Sequence, residues 1–315
     1  MAMMSAGDAK DAALFQEMGR DPKIVYAEMN SIHHGLRDAY GADRVLGFGI
    51  DEMGVNGFVH GAAIAGNPAI ASISNMVPAY YFTFLFDIGS SIRYASGGAA
   101  HAPFTLIQQG SSRASPGRGA NHAVVGEEAW YSCIPGLKVV IPSDAYYTKG
   151  LLVAAIRDPD PVMLIDYRGQ PAADVPDDPD FVVPIGEPRI VKTGSDITVL
   201  AFAPALWEVE FALTELEAKG YSVEVINPLT VHPLNYAPIV ESVAKTGKLL
   251  TVDHGWHRTG ACTQVMAMVA EALGPQATYR RLGYPDVWTP GAREMTDYMT
   301  PWDKNVVEAV EVMLG

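Results

Sequence analysis

Two adjacent carboxylates, Asp51 and Glu52, stand where an apolar, glycine-broken run stops and a helical run rich in Gly and Ala begins, in GFGIDEMGVNGFVHGAAIAG at 47–66. A carboxylate at that switch sits in the positive field of a helix N-terminus. It also sits at a strand end, where α/β sheets bind their ligands. Glu52 is therefore a candidate for catalytic or cofactor-polarising work, and the competing reading is a helix-capping acid. Downstream, PAYYFTFLFD at 78–87 gathers aromatic side chains. They would either wall a flat heterocycle from water or fill a core. QQGSSRASPGRGANHA at 108–123 is a polar, Gly-rich loop with too little apolar content to be core. Its His122 is an imidazole able to move protons near neutral pH, or else an incidental surface residue. No Cys/His metal spacing occurs in the 315 residues. Nothing would then hold a phosphate or a catalytic metal beside Glu52, a mismatch that suggests half of a shared site.

These residues need a scaffold, and the pattern supplies one. Apolar runs at 23–28, 44–50, 68–75, 102–110, 137–143 and 161–167 read as strands. Residues 8–20, 52–65 and 145–158 read as helices, and 31–41 as a loop with a short helix. Strands alternating with helices predict βαβ units and a mostly parallel sheet. QPAADVPDDPDFVVPIGEP, 170–188, carries five prolines and four aspartates, and reads as an inter-domain linker. The α/β pattern then restarts, with strands expected at 196–202, 222–228 and 248–254 and helices at 205–220, 239–247, 262–273 and 305–314. The expected domains are 1–183 and 184–315.

Composition narrows the class. Apolar residues at 49% support sizeable cores, and a net charge of −14 without a Lys/Arg cluster argues against nucleic-acid binding. The two cysteines, Cys133 and Cys262, read as buried free thiols. No basic region followed by an apolar stretch opens the chain, and no run approaches a membrane span, so a cytoplasmic protein without membrane association is expected.

Several segments together carry a family resemblance: IPGLKVVIPSDAYYTKGLLVAAIRDPDPV (134–162), GEPRIVKTGSDITVLAF (186–202), VINPLTVHPLN (225–235) and VAKTGKLLTVDHGW (243–256). In order and spacing the chain resembles the β subunit of the thiamine-diphosphate-dependent component of 2-oxoacid dehydrogenase complexes, in the transketolase superfamily. The resemblance implies an α/β pyrimidine-binding fold, a mostly parallel sheet flanked by helices, followed by a smaller transketolase C-terminal α/β domain. It implies thiamine diphosphate shared with an α subunit that holds magnesium and the diphosphate, in an α2β2 assembly. Glu52 matches the glutamate that touches the aminopyrimidine ring and favours its imino tautomer. Tyr81, Phe84 and Phe86 become candidates for the ring contacts, and His122 falls near an active-site histidine. Ile156, Asp158 and Asp160 match positions whose backbone carbonyls hold a structural potassium ion.

The chain also departs from its relatives. Glu28 fits an acidic position, but Met29 replaces the acid that follows it and the segment is shortened. The pair His33-His34 has no family counterpart; a solvated turn competes with a substrate channel, since adjacent side chains diverge. His122 stands 13 residues before Pro135, one more than in the dehydrogenase β subunits and closer to transketolases. Arg168 resembles a transketolase arginine that meets substrate phosphate, whereas Gln108-Gln109 replaces the transketolase His-Asp pair. The leading expectation is decarboxylation of a 2-oxoacid with acyl transfer to a lipoyl group on a separate acyltransferase. The alternatives are a split transketolase-like or acyloin-forming enzyme, and a non-catalytic scaffold that retains the fold.

Overall fold

Apolar strands and amphipathic helices alternate along the chain, which divides into two units, 1–110 with 130–185 and 111–129 with 186–315. The computed structural model describes residues 1–74, 79–110 and 125–315.

In the first unit, β1 (Ala2–Met4) and α1 (Ala6–Arg20) precede β2 (Val25–Met29), α2 (His34–Tyr40), β3 (Val45–Phe48), α3 (Glu52–Ile64) and β4 (Ala69–Ile73). Helix α4 (Ala79–Phe84) runs into a π turn over Leu85–Gly89, followed by α5 (Ile92–Ala95) and β5 (Phe104–Gly110). From Trp130, near the end of α6 (Glu127–Tyr131), the unit continues with β6 (Lys138–Val140), α7 (Ala145–Arg157), β7 (Val162–Tyr167) and β8 (Ala173–Val175). The main sheet runs β6-β7-β5-β4-β2-β3, parallel at every pairing. Its central strands β5 and β7 are buried over nearly their whole length. That is why they read as continuous apolar runs rather than alternating ones. Helices α1 and α7 pack together through an ion cluster. Buried Glu17 accepts from Arg157 at 2.8 and 3.0 Å and from Arg20 at 2.8 Å. Burial alone would raise the Glu17 carboxyl, but its hydrogen bonds to Arg157, Gln16 and Arg20 hold it below the usual carboxylate range.

The Pro- and Asp-rich stretch does more than link. β8 pairs antiparallel with β1, and Val183 and Phe181 lie so close to Gly150 of α7 that a Cβ there would meet them at 2.4 and 3.1 Å. Most of the stretch thus completes the first unit. The aromatic segment holds a helix that the apolar pattern hid.

The second unit contains β9 (Arg189–Lys192), β10 (Ile197–Ala201), α8 (Ala205–Ala218), β11 (Val223–Asn227), β12 (Thr230–His232), α9 (Ala237–Thr246) and β13 (Lys248–Trp256). It closes with α10 (Ala261–Leu273), β14 (Thr278–Tyr284), α11 (Arg293–Met299) and α12 (Asp303–Leu314). Its sheet runs β14-β13-β10-β11-β9, with only the edge strand β9 antiparallel. Val199, Leu206, Val209, Val252, Val306 and Val310 fill its core. β14, TYRRLGY, escapes the sequence pattern because it lies on an edge and is only partly buried. Both thiols are free, but Cys133 is exposed, contrary to expectation, and only Cys262 is buried.

Candidate active site

The site is built at the carboxyl ends of β2, β3 and β4. Asp51 is the N-cap of α3, its Oδ1 accepting from the Gly54 N–H at 2.8 Å. A Cβ at Gly54 would stand 2.0 Å from Asp51 Oδ2, so a larger residue there would push the capping carboxylate aside. The capping role that competed for Glu52 thus belongs to its neighbour. Glu52 is the first helical residue, half-buried, in the field of the helix N-terminus.

Tyr81 of α4 is fully buried, and its hydroxyl donates to the Ser74 carbonyl at 3.1 Å. Burial first, and then the negative charge of Glu52, push that hydroxyl's pKa upward. Tyr81 and Glu52 therefore share one electrostatic neighbourhood. Phe84 is half-buried and leans on α3: a Cβ at Gly57 would lie 3.4 Å from Phe84 Cζ, and its ring centroid is 5.6 Å from that of His60. Phe86 points elsewhere, 55% exposed on the π turn. Phe82, which the sequence does not single out, stacks on Tyr131 at 6.2 Å, and the Tyr131 hydroxyl donates to the buried Gln108 side chain. Asn56 and His60, also unremarked in sequence, are buried polar residues on the helix that carries Glu52. Their positions four and eight residues after Glu52 were the available signal. His122 lies outside the described residues.

The paired histidines diverge. His33 caps α2, its Nδ1 accepting from the Leu36 N–H at 3.1 Å, while Nε2 faces Asp11 Oδ1 at 3.3 Å. His34 lines an open depression with Ile32, Gly47, Phe48 and Ile50. Glu28 lies beside it on β2, in register with Gly47 and Ser72. Burial raises the Glu28 carboxyl, against the opposing charges of His33 and Lys10. Arg168 is exposed beyond β7 and donates to Gln109 Oε1 at 2.5 Å.

Ile156, Asp158 and Asp160 meet at the end of α7. Lys138 Nζ grips both Asp158 carboxylate oxygens at 2.7 and 2.6 Å, and Arg93 Nε donates to Asp160 at 2.6 Å. Those side chains are already neutralised, so an ion there would depend on backbone carbonyls. Among the described residues no group of three or more His, Cys, Asp or Glu side chains could hold a metal.

Comparison with known proteins agrees with this architecture. Residues 3–171 match the transketolase pyrimidine-binding domain and residues 186–306 the transketolase C-terminal domain. The chain is 34% identical to the mitochondrial pyruvate dehydrogenase E1 component subunit beta of Drosophila melanogaster, over 99% of this chain and 89% of that protein. It is 33% identical to the pyruvate dehydrogenase E1 component subunit beta of Rhizobium meliloti (strain 1021), over 99% of this chain and 70% of that one. A solved structure described as "Split gene transketolase, inactive beta4 tetramer" shares the fold, with a TM-score of 0.79, 22% identity and 99% coverage of both chains.

Proposed function

The chain belongs to the family of pyruvate dehydrogenase E1 β subunits, built from transketolase pyrimidine-binding and C-terminal domains, and on that premise we propose that it is the β subunit of a heteromeric thiamine-diphosphate-dependent enzyme that decarboxylates a 2-oxoacid. The observation that carries this reading is the division of labour at the head of α3. Asp51 caps the helix, which leaves the Glu52 carboxylate available at the strand end.

Glu52, Tyr81 and Phe84 fit the aminopyrimidine end of thiamine diphosphate: a half-buried carboxylate, a buried phenol in its field and a half-buried aromatic ring on the same helix. For the diphosphate end, the chain lacks the Gly-Asp-Gly triplet that the family's partner subunit carries, and among the described residues no side-chain group could hold a metal. Diphosphate and magnesium then fall to an α subunit in an α2β2 assembly. When bound, thiamine diphosphate supplies the carbon nucleophile and the electron sink that decarboxylation needs. Glu52 would hold a proton-bearing ring nitrogen through its carboxylate and so polarise the ring. Tyr81 and Phe84 would exclude water and strengthen that contact. His122, by family position, would move a proton or stabilise developing negative charge. The carbonyls of Ile156, Asp158 and Asp160 would hold potassium, with Lys138 and Arg93 balancing the carboxylates. A lipoyl group on a separate acyltransferase would take the acyl unit, in the cytoplasm. Arg168, exposed beyond a strand end, favours the split transketolase-like or acyloin-forming reading as the alternative.

The test is to copurify the chain with its α subunit and assay 2-oxoacid decarboxylation against ketol transfer, with Glu52→Gln beside wild type. Decarboxylation that disappears in the variant is expected. Unchanged turnover in the variant, or an active thiamine-dependent preparation of this chain alone, would overturn the reading.

A further inference from the structure

Helix α3 carries two buried polar side chains that the reading above leaves without work. Asn56 and His60 follow Glu52 at intervals of four residues and are 0% and 2% exposed. They form a ladder. Asn56 Nδ2 donates to the Glu52 carbonyl at 3.3 Å, and His60 Nδ1 donates to the Asn56 carbonyl at 2.8 Å. The second bond fixes the neutral imidazole with its proton on Nδ1. Asn56 Oδ1 is a buried acceptor that makes no hydrogen bond among the described residues, and His60 Nε2 is buried under Gly89 with the Phe84 backbone as its polar neighbour. An acceptor left unused in a core destabilises it, so an apolar residue would serve packing alone better.

The lower end of the ladder is firmly seated. The His60 ring lies 4.2 Å from the Phe104 centroid and 5.6 Å from that of Phe84. The π turn closes over it at Gly89, where a Cβ would stand 2.6 Å from His60 Nε2 and 2.8 Å from Phe104 Cζ. Side-chain bonds to the carbonyl four residues back tilt those carbonyls and bend the helix locally. The upper bond is made to Glu52 itself.

We propose that Asn56 and His60 are positioning residues, whose ladder anchors the first turn of α3 to the packing of Phe84, Gly89 and Phe104 and so fixes where the Glu52 carboxylate stands. The proposal rests on the assignment of Glu52 to the cofactor. A small displacement of such a group is enough to change rate by a large factor.

The experiment uses the assembled complex with its α subunit and compares His60→Leu, His60→Asn and Asn56→Ala with wild type. His60→Leu keeps the bulk and loses the donor, whereas His60→Asn keeps a donor at the Nδ1 position. Three quantities are read: amide exchange over residues 52–60, calorimetric affinity for thiamine diphosphate, and kcat and KM for the 2-oxoacid. His60→Leu and Asn56→Ala are expected to speed exchange in the first turn of α3, weaken cofactor affinity by about tenfold and lower kcat by about tenfold, with KM unchanged. His60→Asn is expected to restore all three. Wild-type exchange at 52–57 with wild-type cofactor affinity in His60→Leu overturns the proposal, as does a His60→Asn variant no better than His60→Leu. If wild type binds no thiamine diphosphate, the functional reading fails instead, and exchange at 52–57 alone then decides the ladder.

Discussion

Asp51 and Glu52 are neighbours of one chemical type with separate work, and substitutions should separate them. Asp51→Ala removes the N-cap of α3 and is expected to lower stability by about 1 kcal/mol in urea denaturation. Glu52→Gln, with no capping bond to lose, should leave the unfolding midpoint in place while abolishing turnover of the complex. His60 gives a pH signature at the same scale. Burial lowers its pKa to about 4, against backbone hydrogen bonding that opposes the shift. The unfolded chain, with an ordinary imidazole, therefore binds the proton more readily than the folded one below about pH 6.5. The neutral imidazole favours the fold at neutral pH, and that advantage is lost as pH falls from about 6.5 toward 4. Stability should drop by about 2 kcal/mol between about pH 7 and pH 5 through this group. The drop should be smaller in His60→Asn, which has no titrating ring, when urea midpoints are compared at the two pH values.

At the scale of elements, the site depends on contacts between helices that no local pattern announces. Gly89 lets the π turn approach α3, and Gly89→Ala would drive a methyl group into the His60 and Phe104 rings. An overpacking cost of about 1–3 kcal/mol is expected, read as a lower thermal midpoint. The clamp between α1 and α7 depends on Glu17, which is fully buried beneath Arg157 and Arg20. Replacing it by Gln removes the charge from these bonds and should destabilise the first unit by about 2 kcal/mol. Because the folded carboxyl is held below its ordinary value, its contribution is present above that ordinary value and is lost as pH falls through the folded one. Glu17→Gln should accordingly flatten the acid limb of the stability curve. Helices α1 and α3 were legible because helical spacing follows burial on one face, and α7, buried nearly all round, because Pro159 stops its run. The helix in PAYYFTFLFD was not, since apolar residues at nearly every position leave no period to read.

For the whole molecule, the expected outcome is dependence on a partner. The chain alone should bind thiamine diphosphate and magnesium at least about a hundredfold more weakly than the assembled complex, a ratio that calorimetry on both preparations would give. The sequence by itself determined the α/β class, the family and the location of Glu52 at a strand-to-helix switch. It also raised the expectation of a partner that holds the diphosphate, because all of these are written in local periodicity, motif order and the absence of one triplet. Glu28 and the short segment after it marked a departure from relatives, but not its meaning. Only the tertiary structure decided that Asp51 and not Glu52 caps α3, because either carboxylate could do so from its position in the chain. It also turned His33 into a cap for α2 and left His34 facing the depression. It brought Asn56 and His60 under Glu52 and set Phe84 and Phe104 on the His60 ring. Residues as far apart as 60 and 104 meet because parallel strands and their crossover helices bring distant segments together, and no spacing along the chain encodes which side chains then touch.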